Sequence, residues 1–289
     1  MATAKIPGLE NLLAGYDVFG AFANVDSSRE TLFHEGTCED FTFQADKGPV
    51  VYGKPSWVQH MRVFKTHSWF TTRHCYHEYK TSISARTRVE GGTAAFHGEA
   101  EAAFTSSEQM ASSRAYSGYE DVTVSWVLSM PNEPNLQPRL TSQAAADINN
   151  AALHPADLII KYGTHYVRSL RVGGKLYRYT STDKTKYRGK LTVEQAASLS
   201  YRSFTGQASV QEKTTYKTDM ASYEESSTTS AGSRGGSTEF ANDILVGSYD
   251  DWCASVYQNP VFIDFPENAL VGIWTLATDP VRQNAIKAE

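Results

Sequence analysis

Apolar and polar residues alternate with a period of two along several stretches of this chain, which is the pattern of strands with one face apolar. In residues 93–104, Ala94, Phe96, Ala100, Ala102 and Phe104 share one side with Gly98, and Thr93, His97, Glu99 and Glu101 take the other. Val122, Val124, Trp126 and Leu128 then alternate with Asp121, Thr123, Ser125 and Val127. The Ser-rich stretch between these arms makes them a candidate long hairpin, although 106–118 fits a helix equally well.

A second region repeats the pattern. Leu191, Val193, Ala197, Leu199 and Tyr201 alternate with Thr192, Glu194, Ser198, Ser200 and Arg202. Val193, Ala196, Ala197, Tyr201 and Phe204 also fall at helical spacing, so the segment suits an amphipathic helix as well as a strand. Ala208, Val210, Thr214, Tyr216 and Met220 alternate with Ser209, Lys213, Lys217 and Asp219, interrupted by Glu212.

Between the two regions, Thr141 or Ser142 caps a helix through Ala152, His154-Pro155 breaks it, and Ala156 to Lys161 makes a second short helix that leads into the next strand. The stretch 162–178 follows. Tyr166, Leu170 and Val172 share a side, and Gly173-Gly174 stops the pattern, which predicts a strand entered through Gly163 and ended by a glycine turn. Residues 1–65 read as an irregular, strand-rich entry, Trp69 to Ile83 as strand by composition, 224–238 as too polar for a core, and 244–289 as a closing segment of strand and helix.

At 289 residues with 40% hydrophobic content the chain can bury a sizeable core as a single domain. A net charge of −5 argues against nucleic-acid partners, which require phosphate neutralisation. No run of about 18 apolar residues occurs, so any membrane entry must use strands. The start shows no signal-peptide pattern. Cys38, Cys75 and Cys253 lack metal spacing and read as buried thiols. His74 and His77 would point to opposite faces of a strand, which disfavours a metal site.

The stretch Tyr162-Gly163-Thr164-His165-Tyr166 followed by Gly173-Gly174-Lys-Leu resembles the signature of the membrane attack complex/perforin (MACPF) superfamily, relatives of the cholesterol-dependent cytolysins. The resemblance continues in the family's order: a first insertion at 87–126, a second at 180–230, the Gly235-Gly236 pair, Trp252-x-x-Ser255 before Pro260, and Ile273-Trp274-x-Leu276. It implies an α+β chain with a bent and twisted central antiparallel sheet flanked by two helical clusters, which unfurl into transmembrane hairpins in a ring-shaped oligomer. It also implies a soluble monomer, secreted or released, that acts at a target membrane, with a separate targeting protein as a further partner.

On this resemblance the signature residues and both glycine pairs are the hinge set. Ala94, Phe96, Ala100, Ala102, Phe104, Val122, Val124, Trp126, Leu191, Val193, Ala197, Leu199, Tyr201, Val210, Tyr216 and Met220 would face lipid, and Glu99, Glu101, Lys213 and Lys217 the lumen. The physics agrees: a membrane strand needs about 9 to 11 residues, and a barrel closes with about eight strands, more than two hairpins supply. Insertion therefore demands oligomerisation.

The plain alternatives are half-buried surface strands, a core histidine at His165 and an ordinary glycine turn. No nucleophile elbow, HExxH, P-loop or dinucleotide motif occurs, so neither an enzyme nor a cofactor is expected. The competing functional readings are a lipid- or carbohydrate-binding protein that does not perforate and one component of a two-component cytolysin.

Overall fold

The computed structural model describes residues 4–45, 48–84, 103–133, 135–238 and 249–289. Strands β1 (Ala4–Lys5), β2 (Ala14–Tyr16), β3 (Ser28–Thr31), β4 (Cys38–Ala45) and β5 (Gly48–Pro55), with helix α1 (Leu9–Leu13), make up the entry. The long strand β6 (Gln59–Arg73) leads to α2 (Tyr76–Ser84), α3 (Ser106–Met110) and the return strand β7 (Arg114–Ser129). Helices α4 (Ser142–Asn149) and α5 (Pro155–Tyr162) connect to β8 (His165–Val167) and β9 (Ser169–Asp183). Helices α6 (Val193–Phe204), α7 (Val210–Thr215) and α8 (Lys217–Glu225) precede β10 (Ser227–Arg234). The chain closes with α9 (Tyr249–Val256), β11 (Val261–Asp264), β12 (Leu270–Gly272), a 3-10 turn at Ile273–Leu276, and α10 (Pro280–Ala288).

The central sheet is antiparallel in the order β10-β9-β7-β6, with β11 also pairing with β9. β7 has 16 residues and β9 has 15, each roughly 50 Å of extended chain. Two smaller sheets, β1-β5-β4 and β12-β8-β2-β3, lie below it. The main core joins the lower halves of β7 and β9 (Trp126, Leu128, Leu170, Val172) to Phe41, Phe43 and Tyr52, to Leu9, Leu12 and Leu13, and to Tyr166 and Leu270.

Thr141 accepts from the Ala144 amide at the start of α4, where its cap predicts it, but the helix ends at Asn149, short of Ala152; His154 and Pro155, expected only to break it, are the cap and first residue of α5.

Several expectations need correction. Tyr76 to Ile83 is helical, because the chain bends after Arg73 and Tyr76, Tyr79 and Ile83 recur on one helical face that packs against Phe104 and Tyr116. Gly173 and Gly174 form no turn: both lie inside β9, outside the left-handed φ range. The signature stretch is two strands in two sheets, separated by Arg168. Residues 114–126, assigned to the first insertion, belong to the central sheet, so the segments inserted between its strands are 74–113 and 184–226.

Val122, Val124 and Trp126 do not form one row. The register of β7 shifts between Val124 and Trp126, which turns the strand over: Val122 and Val124 pack with Ile263, while Trp126 enters the main core on the opposite side. Ala94, Phe96, Ala100, Ala102, Glu99 and Glu101 lie outside the described residues.

Candidate functional site

The central sheet bends along a single line across three strands. β6 slips register between Arg62 and Lys65, where Phe64 takes a φ of 44°. β7 slips between Val124 and Trp126, and β9 places Gly173 opposite Val124. Bulges at the same level in neighbouring strands raise the local twist and fold the sheet over.

Gly173 is required by this bend through close approach of the backbone. A Cβ there would sit 2.0 Å from the Thr123 carbonyl oxygen, and one on Gly174 would sit 2.4 Å from Val256 Cγ2. Gly235 and Gly236 form the overlying turn with φ of 69° and 75°, conformations that favour glycine. A Cβ on Gly235 would meet the Gly173 carbonyl oxygen at 2.4 Å. Helix α9 is seated on this corner: Trp252 is fully buried, its Nε1 donates to the Gly235 carbonyl at 3.3 Å, and Ser255 Oγ accepts from the Ser237 amide at 2.9 Å. Both glycine pairs are therefore brought together.

The rest of the signature goes elsewhere. Tyr162 Oη donates to Asp147 at 2.9 Å, and burial, followed by that carboxylate, pushes its ionisation up to about 12. Gly163 turns at a φ of 77° against the Tyr16 backbone, and Thr164 Oγ1 accepts from the Val18 amide at 3.3 Å. His165 contacts Thr164 Oγ1 through Nδ1 at 2.9 Å and packs its ring against Trp274; Tyr166 packs against Phe33. These five residues bind α5 to the sheet β12-β8-β2-β3, which is a structural role.

Above the corner, the two helical clusters cover opposite faces of the central sheet. On one face Tyr79, Phe104, Tyr116 and Tyr179 form a buried aromatic group, and Tyr179 Oη donates to Glu120 at 2.5 Å. Gly118 lets Tyr79 lie close, since a Cβ would be 2.5 Å from its hydroxyl. On the other face α6 packs through Ala196, Ala197, Leu199 and Tyr201, all buried. The Tyr201 ring lies on Tyr119, with centroids 3.9 Å apart and planes within 5°, and its hydroxyl donates to Asp121 at 2.6 Å.

Residues 191–204 thus adopt their helical alternative. The signal that decides it is local: Thr192 and Gln195 make a capping box, as do Ser209 with Glu212 and Thr105 with Glu108. Of the other candidates on this insert, Leu191, Val193, Tyr216, Met220 and Lys213 are half-buried, and Lys217 and Val210 are exposed. Asp121, Tyr119 and Glu120 were not singled out from sequence, because buried polar residues in an alternating strand look like its solvent side.

Glu212 also pairs with Arg202 at 2.8 Å, joining α7 to α6. Hydrogen bonds from Ser209 and the Arg202 guanidinium hold its carboxyl down at about 2. A carboxyl depressed from about 4.3 stabilises the fold above that value and loses the contribution as pH falls toward 2. Limited proteolysis within 207–216 is therefore expected to rise between pH 4.5 and pH 2 in the wild type and less in Glu212→Gln; equal profiles would remove this assignment.

Among the described residues no group of His, Cys, Asp or Glu side chains is placed to hold a metal, and no helix is long and apolar enough to cross a membrane.

Comparison with known proteins gives one family match, the MAC/Perforin domain, over residues 11–277. No curated protein sequence matches. Among solved structures, GNIP1Aa from Chromobacterium piscinae superposes with a TM-score of 0.87 at 23% identity, covering 99% of this chain and 56% of that one. A putative cell invasion protein with a MAC/Perforin domain from Bacteroides thetaiotaomicron gives 0.63 at 10% identity, over 97% of this chain and 59% of that one. Astrotactin-2, a perforin-like membrane protein involved in neuronal development, gives 0.51 at 11% identity, over 96% of this chain and 95% of that one. The chain thus spans little more than half the length of the first two. The bent sheet, the glycine corner and the two inserted helical clusters are its MAC/Perforin architecture, and the chain belongs to the MAC/Perforin family.

Proposed function

We propose that this chain forms pores: subunits assemble into a ring on a target membrane, and each releases its two helical clusters as β-hairpins that join a common barrel. The observation that carries this reading is the position of the inserts. Residues 74–113 lie between β6 and β7, and residues 184–226 between β9 and β10, each a pair of antiparallel strands already on one side of the sheet. Straightening either insert lengthens strands that exist, and each insert is longer than the two spans of about 9 to 11 residues that a membrane hairpin needs.

The second insert also carries the dual periodicity that such a change demands. Leu191, Val193, Ala197, Leu199 and Tyr201 make one strand face, and most of them make the buried face of α6. Both states bury one side of the same segment. In the inserted state Lys213 and Lys217 would line the lumen. The lipid membrane, other copies of the chain and a separate targeting protein are the partners proposed, with action at the surface of a target cell after release.

The test is dye release from liposomes of several compositions. In a background lacking Cys38, Cys75 and Cys253, a cysteine pair ties α6 to the central sheet. Release by the reduced variant that falls at least tenfold on oxidation supports hairpin release. If membranes are bound and none leaks in either redox state, the non-perforating binding role replaces the pore reading; leakage restored only by a second protein makes the chain one component of a two-part cytolysin.

A further inference from the structure

Asp121 sits in the middle of β7 with 0% of its surface exposed, between Ser68 of β6 and Leu176 of β9. The helical layer over it contributes Tyr201 from α6, and Tyr249 and Cys253 from α9. Arg178, half-buried on that face, spends a donor on Ser200 Oγ at 3.3 Å. A buried carboxylate must be hydrogen-bonded or pay for its lost hydration. Here Oδ2 accepts from Tyr201 at 2.6 Å, while Oδ1 has no well-formed hydrogen bond among the described residues. Burial, and after it the Asp121 charge, push the ionisation of both Tyr201 and Tyr249 upward, so both phenols stay protonated donors. Tyr201 is held in line by its stacking on Tyr119. Tyr249 packs against the cluster of Leu176, Trp252 and Val256, and Leu176 is the residue paired with Asp121 across the sheet; one turn further along the same helix Cys253 Sγ lies 3.8 Å from Thr123 Oγ1, so α9 overlies β7 at the level of the carboxylate.

We propose that Asp121 is a two-position latch: Tyr201 holds the second helical cluster on the sheet through it, and Tyr249 takes over the carboxylate when α6 departs. The inference rests on the pore-forming reading for its purpose, and it assigns the regulation of that release to three named side chains. The handover couples α9, seated at the corner, to α6, so that a shift of one changes the cost of releasing the other. The charged and titratable groups near the latch are those of Tyr119, Arg178, Tyr201, Arg202 and Tyr223 on one side and Tyr249, Asp250 and Cys253 on the other.

Hydrogen exchange of the full chain tests it without a membrane. Tyr201→Phe is expected to raise the exchange of α6 amides by about tenfold, the size of a lost hydrogen bond to a charged acceptor, with α4 unchanged. Tyr249→Phe alone leaves α6 exchange at or below wild type; added to Tyr201→Phe it raises exchange severalfold more, a non-additivity that distant, independent residues do not show. Asp121→Asn keeps an acceptor for Tyr201 and holds α6 close to wild type, which guards against a Tyr201 variant that simply packs badly. Unchanged α6 exchange in Tyr201→Phe, an equal rise in α4, or strictly additive effects of the two tyrosines overturns the latch. Dye release from vesicles of phosphatidylcholine, phosphatidylserine and cholesterol is measured in parallel. Wild type that never leaks defeats pore formation by this chain alone, and the exchange data still decide the latch.

Discussion

Gly173→Ala is expected to destabilise the protein by on the order of 3 kcal/mol, a large loss for one methyl group. The added Cβ would lie 2.0 Å from the Thr123 carbonyl oxygen and 3.0 Å from Val124 Cα, both backbone atoms of a bulged strand that cannot rotate away. Conformation is not the obstacle, since Gly173 lies outside the left-handed region and alanine tolerates its dihedral angles. The cost arises because β7 and β9 approach more closely than a side chain permits, at the level where Gly235 also covers the Gly173 carbonyl. Denaturant unfolding at equilibrium checks this. A midpoint within error of wild type would mean that the corner relaxes freely, and the rigid-bend account would fail. On the pore-forming proposal, any surviving Gly173→Ala protein is expected to leak liposomes more slowly than wild type, because the same contact would have to be remade as the sheet straightens.

Trp126→Ala is the second large effect, with a loss of about 3 to 5 kcal/mol expected for deleting a fully buried indole. Trp126 is 0% exposed, and Phe43 and Tyr52 approach it edge-on or tilted at 5.1 and 5.9 Å between ring centroids. It joins the lower half of β7 to the sheet β1-β5-β4, below the bend. Trp126→Phe keeps most of the apolar contact, and because the indole Nε1 has no hydrogen-bond partner among the described residues, that change is expected to cost much less. The comparison separates two accounts of the residue. If Trp126 served chiefly to face lipid, Trp126→Ala would leave the soluble fold at wild-type stability and lose only membrane activity.

The two substitutions bear on the bend from either side. Gly173 acts by absence of a side chain where strands close on each other, and Trp126 acts by bulk where the turned-over strand enters the core. A register slip of one residue at Ser125 separates these roles, and it also explains why Val124 and Trp126, two apart in the chain, contribute to different cores.

Much of this was legible in the chain itself. Alternation marked 122–128 as strand, the Thr141 cap placed the start of α4, the break at His154-Pro155 separated it from a second helix through Lys161, and the ordered motifs from Tyr162 to Leu276 indicated the family and its bent sheet. The capping boxes at Thr105, Thr192 and Ser209 were also present as short patterns, and they favour helix over strand in the second insert. All of these depend on residues within a turn or two of one another, so adjacent letters carry them.

Only the tertiary structure decided the rest. It placed Gly173 and Gly174 inside a continuous strand instead of a turn, because what they accommodate is Thr123 and Val256, 50 and 82 positions away from their respective partners in the chain. It turned β7 over at a bulge that lies beside a register slip in β6 and opposite Gly173 of β9, and no single strand encodes that registry. It buried Asp121 under α6 and α9, giving a polar residue of a solvent-like pattern a fully enclosed position in the sheet. Periodicity and caps are local energies and are written locally; close approach, bulge registry and burial belong to pairs of segments far apart in sequence, and they exist only once those segments meet.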